Sequence, residues 1–215
     1  MSSQYECPSC GAPIQVKNRA SLYVVCEYCN TTSLRKDVNL EEVGKASGVV
    51  EDGSPIQLGT VGKWNNIPFE VIGRIQLHYA LGFWNEWHLD LNGESAWLSE
   101  SNGNYVISKK VEALVPKAEE LKVYSYVDIA GKAFYVKDIQ EATCISAQGE
   151  LPFRFQEQYT AKMVDLANET LEFASIDYSD DPAGVYLGEF TDFFKLRLGN
   201  LREIYGFPIP KGEVA

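Results

Sequence analysis

Four of the five cysteines stand in two pairs, Cys7-Pro8-Ser9-Cys10 and Cys26-Glu27-Tyr28-Cys29, with residues 11–25 between them. Zinc prefers thiolates in a tetrahedron, and two CxxC pairs brought together by a hairpin close that shell without leaving a position for water or substrate. The expected metal is therefore one structural zinc ion per chain, held by Cys7, Cys10, Cys26 and Cys29. Each knuckle must turn back sharply after its second cysteine, and Gly11 and Asn30 are residues that tolerate φ > 0. Deprotonated ligands leave about −2 on such a site, which Lys17, Arg19, Arg35 and Lys36 are placed to offset.

A second group with chemical potential is Glu86, His88 and Asp90, which alternate along one stretch and so share one strand face at spacings of about 6.5–7 Å. Two carboxylates flanking an imidazole suit general acid/base work or a second metal. The plainer reading is a polar sheet face, with His88 stacked on Trp97 across a hairpin. Trp84, Glu86, His88, Asp90 and Trp97 together also make a candidate interaction surface, since tryptophans anchor interfaces. Asp177, Asp180 and Asp181 read as a solvated turn without calcium-loop spacing. Cys144, inside an apolar run, reads as a small buried side chain. No phosphate-binding glycine loop follows a strand, and no GxSxG motif occurs, so no catalytic residues are assigned.

The elements that must position these groups are short strands. Phe83 to Leu91 and Glu94 to Leu98 flank Asn92-Gly93, a pair that favours a two-residue hairpin turn. That turn sets Leu91 opposite Glu94, Leu89 opposite Ala96 and Trp87 opposite Leu98 on a core face. It sets Asp90 opposite Ser95, His88 opposite Trp97 and Glu86 opposite Ser99 on a mixed face. A further turn is expected at Asn102-Gly103. Pro68 to Ile75 is echoed by Ala133 to Ile139, and Leu89-Asp90-Leu91 by Val164-Asp165-Leu166; a longer loop over 146–153 accounts for the unequal spacing. The fold class is mainly β: a zinc ribbon (1–36), a linker (37–55) and an acidic antiparallel β-sandwich or barrel-like domain (56–205) with two similar halves, about 56–115 and 122–198, then a tail (206–215). Short helices are allowed for: one over Leu40 to Val43 capped by Asn39, and one within 186–205, where helical and strand spacings compete. The ribbon itself is expected as strands over 13–16 and 21–25 joined near Asn18-Arg19.

Composition narrows the function classes. The chain has 215 residues, 45% hydrophobic and 23% charged, with a formal net charge of −11. Residues 1–50 hold five basic and five acidic side chains, so the whole excess falls on the larger part. That balance argues against nucleic acid or an anionic membrane as partner. No run reaches the ~18 apolar residues of a transmembrane segment, the start lacks a secretory pattern, and thiols in metal spacing suit a reducing compartment. A cytoplasmic location is the expectation.

Several stretches give the chain a family likeness: Leu58-Gly59-Thr60-Val61-Gly62, Phe69-Glu70-Val71-Ile72-Gly73-Arg74, Trp84-Asn85-Glu86-Trp87, Ala96-Trp97-Leu98-Ser99-Glu100, Gly149-Glu150-Leu151-Pro152 and Ala174-Ser175-Ile176-Asp177-Tyr178. Over about 56–198 it resembles the bacterial domain-of-unknown-function family numbered 4178, whose CPxCG-type ribbon is matched by Cys7 to Gly11. The resemblance implies an accessory protein linked to envelope stress, and no activity. The leading expectation is a non-enzymatic adaptor that uses the tryptophan hairpin to bind an unidentified protein. The alternative is an enzyme or small-ligand binder with a pocket between the halves, using Glu86, His88 and Asp90, or Asp165.

Overall fold

Residues 3–155 and 158–206 are described by the computed structural model; the proline-rich tail foreseen beyond Gly206 lies outside them. Two four-strand meanders form the body. The first comprises β7 (Ile67–Tyr79), β8 (Gly82–Leu91), β9 (Glu94–Ser101) and β10 (Asn104–Val111). The second comprises β12 (Lys132–Leu151), β13 (Thr160–Ala167), β14 (Glu172–Asp177) and β15 (Gly184–Thr191). Within each meander neighbours pair antiparallel. The meanders then join at two seams, β10 to β15 and β7 to β12, so eight strands close into a ring. Closure leaves no free edge among those strands, and a barrel of this size has an interior that side chains fill or that holds one small ligand.

The duplication foreseen in the sequence is visible in the turns. A short strand precedes each meander, β6 (Val61–Trp64) pairing with β7 and β11 (Tyr126–Ile129) with β12. The turns between them place Asn65-Asn66 and Ala130-Gly131 at positive φ. Phe69 and Val71 in the first half match Phe134 and Val136 in the second, and each pair sits in its own half's apolar cluster. These clusters lie on the outside of the ring. The first, which includes Trp87, Leu89 and Leu98, is covered by Ile56, Phe193 and Leu196. The second, which includes Val164, Leu166 and Ile176, is covered by Leu121, Val127 and Ile129. Strand alternation therefore turns the other, mixed face of each half inward.

The hairpin register matches the expectation pair for pair, from Leu91–Glu94 to Glu86–Ser99. Asn92 and Gly93 take φ of 51° and 93°, and Asn102 and Gly103 take 49° and 78°, as a type I′ turn requires.

Four local expectations are corrected. The ribbon strands β2 (Pro13–Val16) and β3 (Tyr23–Val25) do not pair with each other: β2 pairs with β1 (Ser3–Glu6), and β3 with β4 (Thr31–Arg35) and β12. The loop between them is instead pulled into the barrel wall by the bonds described below. Leu40–Lys45 is a strand, β5, on the edge of β4 rather than a short helix; its local helical signal is weak, and ladder bonds to β4 outweigh it. Residues 146–151 continue β12 and only those after Leu151 leave the sheet. In 186–205, Gly184–Thr191 is strand, and the chain beyond it, turns and irregular structure, lays Phe193 and Leu196 on the first cluster. A single short 3-10 turn, Ala118–Glu120, is the only helical element among the described residues, and no helix there is long and apolar enough to cross a membrane.

Candidate functional site

The four cysteines converge. Their sulfurs all lie within 4.8 Å of one another, with Cys7 and Cys29 at 3.7 Å and Cys10 and Cys26 at 3.8 Å. Four sulfurs each ~2.3 Å from a central ion would stand about 3.8 Å apart, so this set fits a tetrahedral metal ion. The two knuckles are built alike. Gly11 N–H donates to Cys7 O and Asn30 N–H to Cys26 O, both at 2.9 Å, and Gly11 and Asn30 take φ of 74° and 58°. Cys7 N–H and Cys26 N–H close the next turn on Ala12 O and Thr31 O. The basic residues nearby are otherwise engaged: Lys17 pairs with Glu70, Lys36 with Glu41, and Arg35 donates to the carbonyls of Asn18 and Arg19.

Glu150, near the end of β12, fastens the ribbon to the barrel. Its carboxylate accepts from Lys17 N–H at 2.7 Å, Asn18 N–H at 3.1 Å and the Ser21 hydroxyl at 2.6 Å. Asn18, itself buried, donates to Asp90 at 2.5 Å. The Glu150 backbone carbonyl meets His88 Nδ1 at 2.8 Å, while His88 Nε2 lies 2.9 Å from Ser95 Oγ. A carbonyl only accepts, so Nδ1 carries the proton and Nε2 accepts from Ser95. Burial drives the His88 pKa down to about 4, which keeps the ring neutral. His88 also lies against Trp97, with ring centroids 5.1 Å apart.

Glu86, His88 and Asp90 thus share a strand face but not a site. Glu86 faces the barrel interior, His88 is consumed by Ser95 and the Glu150 carbonyl, and Asp90 turns to Asn18 and Gly93 N–H. Trp97 is buried and Trp84 lines the interior, so the hairpin's mixed face points into the barrel instead of presenting an open surface. Inward curvature of the closed ring is the cause. Trp87, on the opposite face, is buried under Arg74 at 4.5 Å and donates to Glu100 at 2.9 Å. Arg74 in turn pairs with Asp52, which Arg202 also grips at 2.9 Å, so residues 50–54 are pinned to the wall.

Inside the ring is a chamber of about 200 Å³, several times the ~30 Å³ share of a water molecule, running on into a narrower space of about 50 Å³. Both halves line it. The first contributes Trp84, Glu86, Trp97, Ser99 and Ser108; the second contributes Met163, Asp165, Phe173, Ser175, Asp177 and Tyr186. Glu86 accepts from Ser99 Oγ at 2.7 Å and Trp84 Nε1 at 2.8 Å. Burial still pushes its pKa up to about 7, with Asp165 and Asp177 adding to the effect. Desolvation by the surrounding wall raises Asp165 to about 6 against the pull of Ser175 and Lys137, although that residue keeps an exposed side, and it raises the half-buried Asp177. Asp177 was expected in a solvated turn; it ends β14 with its side chain inward, and only Asp180 and Asp181 are exposed. Cys144 is fully buried in β12.

The Glu86 shift has a sign that can be checked. Its folded pKa stands above the ordinary glutamate value of 4.5, so its contribution to stability is complete below about pH 4.5 and is lost as pH rises through about 7. Glu86→Gln is expected to gain roughly 1–2 kcal/mol at pH 8 and little at pH 4, after allowance for the open side of the chamber. Urea unfolding across that range reads the difference directly.

The sequence singles out neither Ser175 nor Tyr186 as a site residue, and it places Asp177 in a solvated turn rather than in a site. It does single out Asp165, because that residue alternates with Val164 and Leu166 as Asp90 does with Leu89 and Leu91. Neither the curated proteins nor the solved structures contain a match to this chain. A family model described as a domain of unknown function (DUF4178) matches residues 57–193, a span that starts just before β6 and ends just after β15. With well over half its length matched and the whole duplicated barrel inside that span, the chain belongs to the DUF4178 family.

Proposed function

We propose that this protein binds a small molecule in the chamber between its two halves, and that a structural zinc ion in the four-cysteine ribbon stiffens the chamber wall. The observation that carries this is the chamber's lining. Glu86, Asp165, Asp177, Ser99, Ser108 and Ser175 face one interior space from both halves, although an interior that only had to be filled would be apolar. The sulfur spacing and thiolate set support zinc, which takes four cysteines in closed structural sites. An adaptor built on the tryptophan hairpin has less support, because Trp87 and Trp97 are buried. Four metal-binding thiolates are in keeping with a reducing compartment such as the cytoplasm.

Native mass spectrometry of gently purified protein tests the reading. Wild-type protein is expected to carry a small-molecule adduct that Ser175→Phe, which fills the chamber, does not carry while keeping its far-ultraviolet circular dichroism. Equal spectra for the two proteins, with no adduct on either, would count against a ligand-binding chamber.

A further inference from the structure

We infer that the chamber takes a neutral aromatic alcohol, a single ring in the wider space with its hydroxyl turned into the narrower one. This inference rests on the ligand-binding reading of the same chamber and adds the ligand's class.

The observation that points to such a ligand is Ser108. Along β10, Tyr105 and Ile107 belong to the outer apolar cluster, so the side chain of Ser108 faces the interior, opposite Trp97 on β9. Three serines line the narrower space. Ser99 donates to Glu86 and Ser175 to Asp165. Ser108, only 3% exposed, has no hydrogen-bond partner among the described residues. A buried hydroxyl without a partner is costly. Pairing of β10 with β9 on one side and β15 on the other holds Ser108 in place, so a polar group entering the narrower space is what would meet it.

Size and walls set the rest. The narrower space, about 50 Å³, admits a polar substituent but no ring, whereas the wider one, about 200 Å³, exceeds the ~150 Å³ that suffices for benzene. The two adjoin along Glu86, Ser99, Met163, Phe173 and Ser175. Each half brings an edge-to-face aromatic pair to the wider space, Tyr79 with Trp84 and Phe173 with Phe190, with ring centroids 5.5 Å apart in both. A flat ring extends such packing, because ring edges are attracted to ring faces. Charge does not select the guest. Asp138 and Asp165 are open to solvent, Lys137 acts on Asp165 and Lys110 on Asp177, so water and lysines already meet the acids. A charged guest would give up more hydration than a neutral one on entering between aromatic walls. A hydroxyl suits the narrow end, since it accepts from Ser108 and donates to a second neighbour at once.

Isothermal titration of the full-length, metal-loaded protein at pH 8 with benzyl alcohol, phenol, toluene, cyclohexylmethanol, benzoate and benzylammonium decides the point. At least one of the two aromatic alcohols is expected to bind, at least about tenfold more tightly than benzoate and benzylammonium. Ser108→Ala is expected to weaken that alcohol about fivefold, which corresponds to ~1 kcal/mol, and to leave toluene unchanged. Ser175→Phe is expected to abolish binding, and Glu169→Gln, on an exposed turn, to leave it unaltered. Circular dichroism of each variant guards against loss of fold. Alcohol binding untouched by Ser108→Ala would overturn the inference, with water alone serving that hydroxyl. Benzoate, benzylammonium or cyclohexylmethanol binding as tightly as the aromatic alcohols, and lost in Ser175→Phe, would overturn the ligand class and keep the chamber. Failure of both aromatic alcohols to bind would also overturn the inference, whereas an adduct on wild-type protein in that case would still uphold the chamber.

Discussion

Removing the zinc ion proposed for Cys7, Cys10, Cys26 and Cys29 is expected to unfold the ribbon and to weaken the barrel with it. A ribbon this small buries little: its own apolar cluster is Ile14, Val16, Val24 and Leu40 with Cys7 and Cys26. Metal binding is then most of its folding free energy, and structural zinc in comparable peptides supplies roughly 10–16 kcal/mol at neutral pH. The effect should spread because the ribbon is fastened to the wall. β3 pairs with Gly149, Glu150 and Leu151 of β12, and the Glu150 carboxylate is held by Lys17 N–H, Asn18 N–H and Ser21. Loss of those partners strands a charge-bearing group that is mostly buried, at a cost of several kcal/mol. At roughly 2–4 °C per kcal/mol for a chain of this size, the thermal midpoint should fall by about 10 °C or more. Metal analysis together with thermal unfolding, with and without chelator and for Cys26→Ser, measures this. A midpoint unmoved by metal removal would mean that the ribbon hangs free of the barrel.

Gly73→Ala should be among the most damaging single substitutions in the barrel. Gly73 and Gly149 face each other where β7 crosses β12 and closes the ring. A methyl group on Gly73 would land on the Glu150 carbonyl oxygen, and one on Gly149 on that of Ile72, with Gly149 also at φ 66°. Neither neighbour is the tip of a flexible side chain, so the seam itself would have to open. Overpacking of this kind costs about 3 kcal/mol or more, and it disrupts the same carbonyl that His88 holds. Gly53→Ala, where an added methyl meets nothing within 4 Å, is the matched control and should change stability by less than ~0.5 kcal/mol. Denaturant midpoints of the three proteins, or the soluble yield of Gly73→Ala if it does not fold, check the expectation.

These two positions show how unevenly the structure could be foreseen. The cysteine spacing and its flanking Gly11 and Asn30 specify the metal knuckles because the constraints are local: a fixed ligand set and a turn three residues long. The Asn92-Gly93 turn specifies the β8–β9 register for the same reason, since a two-residue turn allows one alignment and every later pair follows from it. Gly73, by contrast, looks like any glycine in a strand. Only a partner strand that arrives some seventy-five residues later in the chain makes its hydrogen atom indispensable.

The same distinction separates what was legible in the candidate site from what was not. By itself the sequence determined a β chain with four cysteines in metal-ligand spacing, a repeated strand pattern and a hairpin with one apolar and one mixed face. Each of these depends on periodicities of two residues or on short turns, and both are properties of neighbouring residues. The tertiary structure alone decided which way the mixed face points. Glu86 and Trp97 would be surface groups on an open sandwich; the β7–β12 and β10–β15 seams curl the sheet so that they meet Asp165, Ser175 and Asp177 from the other half. It also decided that the ribbon is part of the wall, because Glu150 and Asn18 are 132 residues apart and adjacent in space. Closure of a ring is a long-range event, and the chemistry of its interior exists only once the last strand has paired.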